Sequence, residues 1–415
     1  MSNKEQRKAP VLRFKGFTDD WELHKLGTAI KIIKDKNKNQ HSYRAFSISN
    51  IKGFIAQDEQ FGKDNTYSKT DKSTNYIVKP GMFAYNPARI NVGSIAYQNQ
   101  TEPVLVSSLY EIFQTNPKID DSFLMNWFKT SLFNRQIKRL EEGGVRQYFF
   151  IDKMKETEIK LPSISEQNQI SKLLQLVNKN LDLQQRKLDQ LKQLKKAYLS
   201  DLFSIKNKPQ IRFKGFKGKW KKSKLLDNVS NIIDFRGKTP KKLGMDWSDQ
   251  GILALSALNV KDGFIDKSIH AHYGDIKLYN KWMAGNKLHK GQVLFTTEAP
   301  MGNVAQVPDN DKYILSQRTI AFNVNKDKIS DSFLAMLLQT TTVHNQLLSL
   351  SSGGTAKGVS QKSLSGLSVA IPLSLEEQRK MEMTFKYINH LIHFQQDKIR
   401  YLEENKQFLL QNMFI

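Results

Sequence analysis

Cysteine is absent from the 415-residue chain, which excludes disulfides, thiolate metal sites and thiol redox chemistry. Long apolar runs are absent too. No stretch reaches the roughly 18 residues that a membrane span needs. The opening residues, MSNKEQRKAP, lack the apolar core of a signal peptide, so a cytoplasmic protein is the expectation. Histidine is sparse, at eight, and forms no HExxH pair, so no metal site is assigned. There is no GxxxxGK[ST] loop, hence no ATP motor. A base methyltransferase needs an Asn-Pro-Pro-aromatic loop, and Asn86-Pro87-Ala88-Arg89 breaks it at Ala88. Nuclease acids are not grouped either: Pro308-Asp309 has no Glu-x-Lys nearby, and Glu158-x-Lys160 has no upstream partner. No catalytic residue is assigned. Acid is also in short supply, with 40 Asp plus Glu against 64 Lys plus Arg and a formal charge of +24. Such a surplus points to a polyanion partner, most often nucleic acid.

Two long helical stretches organise the rest. From Ser165 to Ser204, Leu174, Val177, Leu181, Leu188, Leu191, Tyr198 and Leu202 fall on the two series of a heptad. From Glu376 to Phe414 the seam reads Phe385, Ile388, Ile392, Ile399, Leu402, Leu409 and Met413. Gln184 and Lys195 interrupt the first seam, and Gln395 and Lys406 interrupt the second at an offset of 211. Matched polar defects in two seams predict helices that pair with each other in a fixed register.

The repeat extends beyond the helices. Pro10, Arg13, Phe14, Lys15, Gly16, Phe17, Trp21 and Leu26 recur at an offset of 199, from Pro209 to Leu225. The chain is therefore an internal duplication with a unit of about 200 residues. Phe46–Ile55 matches Leu255–Ile265, placing Asn50 and Lys52 opposite Asn259 and Lys261. Val78–Ala96 and Leu288–Ala305 read as hairpins, and Ile119–Leu140 and Ile329–Leu350 as amphipathic helices. Each copy ends in strand, Pro, Glu-Gln and long helix, with acid in the helix's first turn. The class is α+β. RFKGF-x3-W is expected to brace the start of each domain.

The copies differ in their polar loops. The second carries Arg236, Lys238, Thr239, Lys241 and Lys242 on a Gly/Pro-rich loop, where the first carries Lys38, Asn39 and Arg44. The hairpin tips offer Tyr85, Asn86 and Arg89 against Thr296 and Thr297. The Gly-Gly loops offer Arg146 and Gln147 against Lys357. Lys52, Asn259, Lys261 and Arg318 complete the candidate DNA contacts. Arg and Lys read guanine, Asn and Gln read adenine, and all of them also hold phosphate. A similar scaffold with dissimilar loops suggests two readers of two sequences. The competing readings are a protein-only adaptor and a stand-alone modifying enzyme. Salt-dependent duplex binding separates the first, and the missing motifs argue against the second.

RGKTP, Trp247, Gly251-Ile252, LSALNVKDG, LSQRTIAF, the SGGT stretch and AIPLSLEEQRKM together resemble the specificity subunit of type I restriction-modification systems. The first copy departs from it: DKNKNQ replaces the GKTP loop, VSSLYEIF replaces LSQRTIAF, and Trp247 has no match. The resemblance implies a first target recognition domain over 1–162, a helix over 163–206, a second domain over 207–373 and a helix over 374–415. It implies an antiparallel coiled coil spacing two readers of a bipartite, asymmetric target. It further implies a non-catalytic, cytoplasmic subunit binding no cofactor itself. Its partners would be double-stranded DNA, two modification subunits using S-adenosylmethionine and two restriction subunits using ATP and Mg.

Overall fold

The computed structural model describes residues 8–61, 72–140, 148–203, 209, 211–269, 272–351 and 358–415. The two long helices run from Ile164 to Leu202 and from Leu375 to Asn412. The chain forms two compact units, and neither is continuous in sequence. One is Met1–Gln184 with Lys398–Ile415, and the other is Gln185–Asp397.

In the first unit, four antiparallel strands lie in the order Ile30–Ile33, Glu111–Thr115, Phe83–Tyr85, Ile95–Tyr97. Strand side chains alternate between faces. Phe83, Tyr85 and Phe113 enter one core, and Ala84 and Ile112 enter another on the opposite face. The first core also receives Ile170 and Leu174 from the start of the first helix. From the end of the second helix it takes Leu410, and beyond that helix Met413 and Phe414.

The second unit repeats the plan with Val229–Asp234, Thr319–Val324, Val293–Thr296 and Val304–Gln306. Its larger core takes Leu199 and Leu202 from the end of the first helix, and Met381 and Phe385 from the start of the second. The two helices therefore run antiparallel. Each unit closes by pairing its opening strand with the strand before its helix: Glu22–Lys25 with Glu158–Leu161, and Lys221–Lys224 with Ser368–Ile371.

The RFKGF motif does brace the start of each domain, through its arginine. Arg13 donates two hydrogen bonds to the Glu166 carboxylate, at 2.7 and 2.8 Å. Arg212 does the same to Glu377. Both glutamates are almost wholly buried, so the acidic first turn serves an ion pair as well as the helix dipole. Each predicted amphipathic helix is two helices, Asp121–Trp127 then Ser131–Leu140, and Asp331–Leu338 then Thr341–Leu350. Thr130 and Thr340 make the break, each accepting at Oγ1 from the amide three residues on.

No seam residue is fully exposed: each is buried or half-buried. The seam lysines, however, face the domains. The Lys195 ammonium donates to Gln339 at 2.9 Å. In the first unit Lys129 occupies the position equivalent to Gln339, and its neighbour is Lys406. Desolvation lowers the Lys129 pKa, and the Lys406 charge lowers it further. Lys129→Gln would copy the second half and give Lys406 an acceptor. Lys129 is exposed, so solvent screens the repulsion, and we expect a gain of about 0.2–0.5 kcal/mol at neutral pH, seen as a rise of roughly 0.5–2 °C in the melting midpoint. Below the folded pKa of Lys129 the penalty is fully present; it is gone above the unfolded value, about 10.4. The gain should therefore fade as pH rises into that range. An equal or lower midpoint at pH 7 would show that the two lysines do not repel.

Candidate nucleic-acid interface

In the second unit the Gly/Pro-rich loop, the hairpin tip and the strand edge at Arg318 come together. Arg236 forks onto Asp234 and donates to the Val359 carbonyl at 2.9 Å. The Val359 amide in turn donates to the Thr297 carbonyl, and the Thr297 amide to the Arg318 carbonyl. Gln317 donates to the Lys238 carbonyl. Between these elements opens a cleft of about 450 Å³, lined among others by Thr239, Lys241, Trp247, His272, Gln317 and Arg318. Trp247 and His272 stack at 5.3 Å, 13° from parallel, and Trp247 leans on the buried Trp282. Lys241 is exposed, and its ammonium has no partner among the described residues. It is the free cation at this cleft.

The other basic residues here are committed. Burial pushes the Asp234 carboxyl up, but the Arg236 hydrogen bonds outweigh it and hold the group below its usual range. The Lys238 ammonium lies over the Phe235 ring at 4.4 Å. Lys242 donates to the Gly237 carbonyl, and Thr239 Oγ1 accepts from the Lys242 amide. Arg318 pairs with Glu298 at 2.8 Å from a left-handed backbone. Lys261 lies near Asp266, on a loop whose Gly263 amide bonds Val304 and whose Phe264 meets His393. It is not at the cleft.

Four expected contacts are corrected by burial. Tyr85 is fully buried on a strand whose two faces both pack, and burial pushes its phenol pKa up. Thr296 and Thr297 are buried for the same reason, with Thr296 Oγ1 taken by the Asn303 amide. Asn259 is fully buried and holds its own turn, accepting from Ser256 and donating to the Asp266 carbonyl. All four side chains are buried in this structure.

In the first unit Lys38 and Asn39 are exposed on a turn pinned by buried Asn37, which exchanges hydrogen bonds with His41. Lys52 is exposed at a hairpin turn. Arg44 is spent on Asp58 and Glu59, and its hydrogen bonds hold the Asp58 carboxyl low. Asn86 caps the tip by accepting from the Ala88 amide, and Arg89 is exposed beside it. Arg146, Gln147 and Lys357 lie outside the described residues.

A family model for the type I restriction modification DNA specificity domain matches residues 18–193 and again 197–404. The chain belongs to that family. It is a specificity subunit with two tandem specificity domains, a class that carries recognition and no catalysis of its own. It is 24% identical over 417 residues to the type I restriction enzyme MjaVIII specificity subunit of Methanocaldococcus jannaschii, covering 94% of this chain and 91% of the relative. The fold is similar to the crystal structure of a type I restriction-modification S subunit from M. genitalium, at TM-score 0.59 and 14% identity, covering 98% and 99% of the two chains. It is also similar, at TM-score 0.58 and 15% identity over 95% and 97%, to a chain solved in work on type I complex assembly and conformational transition.

Sequence reasoning missed two features of this specificity chain. His272 and Gln317 were not assigned, although Gln317 sits beside Arg318 in LSQRTIAF. An outward apolar stripe was also missed. Tyr387, Phe394, Tyr401 and Phe408 recur every seven residues on the second helix and are 56–64% exposed. Leu176 and Leu183 stand at the positions of Tyr387 and Phe394 on the first, 66% and 52% exposed. The seven-residue recurrence outside the seam was the available signal.

Proposed function

We propose that the globular parts, 1–162 and 207–373, read the two halves of a bipartite asymmetric DNA target, with the helices over 163–206 and 374–415 as the spacer. The observation that carries this is one four-stranded scaffold built twice, with different exposed cations at its loops: Lys38, Lys52 and Arg89 in one unit, Lys241 in the other. The exposed apolar residues that both helices share, Leu176 with Tyr387 and Leu183 with Phe394, suit two copies of one partner. We place two modification subunits there, with two restriction subunits completing a cytoplasmic complex. S-adenosylmethionine, ATP and Mg would serve those partners, leaving this chain without a cofactor.

Duplex binding by the assembled complex tests the reading. Log affinity should fall steeply with log salt, as phosphate contacts require. Lys241→Ala then distinguishes two roles. A base contact costs about 1–3 kcal/mol and relaxes the preference at one position; a phosphate contact weakens all sequences alike and flattens the slope by about 0.9. Unchanged affinity and slope would remove the cleft from the interface. A wild-type complex that binds no duplex would favour the protein-only adaptor.

A further inference from the structure

A second cavity in the Gln185–Asp397 unit, of about 380 Å³, lies where the second domain meets the long helices. Its charged and amide lining includes Lys192, Lys195 and Lys196 from the first helix, Asn389 and His393 from the second, and Asp262 from the domain. Three lysines thus face one acid. Lys195 is the deepest committed of them. Its ammonium donates to Gln339 at 2.9 Å and lies over the Phe385 ring at 5.0 Å. A Cβ on Gly263, which is left-handed at φ +94°, would sit 3.9 Å from the Lys195 nitrogen, so the loop backbone closes in on it. An ammonium has three donors, and the one hydrogen-bond acceptor at Lys195 is neutral. Burial lowers its pKa, and Asp262 counters only in part. The ammonium groups of Lys192 and Lys196 have no partner among the described residues.

The duplication shows that this charge is not a property of the scaffold. At an offset of 211, Lys192, Lys195 and Lys196 correspond to Glu403, Lys406 and Gln407, and His393 corresponds to Asp182. Asn389 is kept as Asn178. The first half has two acids where the second has a lysine and a histidine.

We propose that this cavity takes a phosphate group of the DNA backbone, a sequence-independent contact separate from the recognition loops. It rests on the DNA-reading function proposed above. A phosphate offers several acceptor oxygens, which suits converging ammonium and amide donors. A partially desolvated lysine with a neutral acceptor gains most from an anion.

The test is the variant Lys192→Glu with Lys196→Gln, in the assembled complex. It copies the residues the other half already uses at these positions, and it leaves Lys195 in place. Target and non-target duplexes should weaken by the same factor, with sequence preference unchanged. Losing the contact to that one phosphate should flatten the slope of log affinity against log salt by about 0.9. Between 50 and 200 mM salt the variant should then lose about 3.5-fold less affinity than the wild type. An unchanged slope with intact duplex binding overturns this site and leaves the loop-reading function standing. Loss of modification subunits at an unchanged slope also overturns it, in favour of an acidic protein partner. Inorganic phosphate, at fixed ionic strength, separates the two phosphate sources. Protection of Lys195 from acylation by duplex DNA supports the proposal; protection by inorganic phosphate alone overturns it. A wild-type complex with no duplex affinity overturns both readings.

Discussion

Arg13→Ala should destabilise the protein by about 3–5 kcal/mol, among the largest effects of any single change in the chain. The arginine side chain is 14% exposed and the Glu166 carboxylate 1%. Removing the cation strands a carboxylate that cannot reach water, which is why breaking such a pair costs far more than an exposed pair contributes. The same substitution at Arg212 should fall at the lower end, because the Trp220 indole still donates to Glu377 at 3.4 Å. For a folding unit of about 200 residues the loss lowers the melting midpoint by roughly 6–20 °C. Arg13→Lys keeps the charge but loses the two-pronged geometry, and should recover only part. Thermal and urea denaturation of the full chain check this. A loss below about 1 kcal/mol for Arg13→Ala would mean that the pair behaves as a surface ion pair.

Exchange of residues 10–162 for the first domain of another family member should change one half of the DNA target and leave the other intact. Each altered base pair costs about 1–3 kcal/mol. Three altered positions would thus weaken the original site at least 100-fold, while the new site is bound normally. Mapping methylated adenines in DNA modified by the assembled complex reads out both halves. The exchange has a structural condition. Leu410, Met413 and Phe414 enter the first core, where Phe414 meets Phe123 at 5.0 Å. A donor domain without an apolar seat there would fail by unfolding, which denaturation detects separately. A folded exchange that alters both halves, or neither, would sink the two-reader model.

Much of the architecture was legible because duplication and periodicity are written in the sequence. The heptads locate both long helices, and the offset of 199 locates the start of both domains. Alternation and spacing also marked the hairpins that became Phe83–Tyr85 with Ile95–Tyr97, and Val293–Thr296 with Val304–Gln306. The breaks at Thr130 and Thr340 were not legible. A threonine inside an amphipathic pattern becomes a cap only once packing turns the chain.

The candidate interface was legible only as a set of loops. Residue type cannot distinguish a free cation from a committed one: Lys241 is free, while Arg44, Arg236 and Arg318 are held by carboxylates. Nor does it show that a strand end such as Tyr85 or Thr296 is buried on both faces. By itself the sequence determined the duplication, the helix pair, the cationic surplus and the family, because these depend on order, spacing and composition along the chain. Only the tertiary structure decided which seam lysine meets Gln339 and which meets another lysine, which loops share a cleft, and which apolar residues stay outside. Those outcomes depend on groups distant in sequence that burial and charge pairing bring into contact.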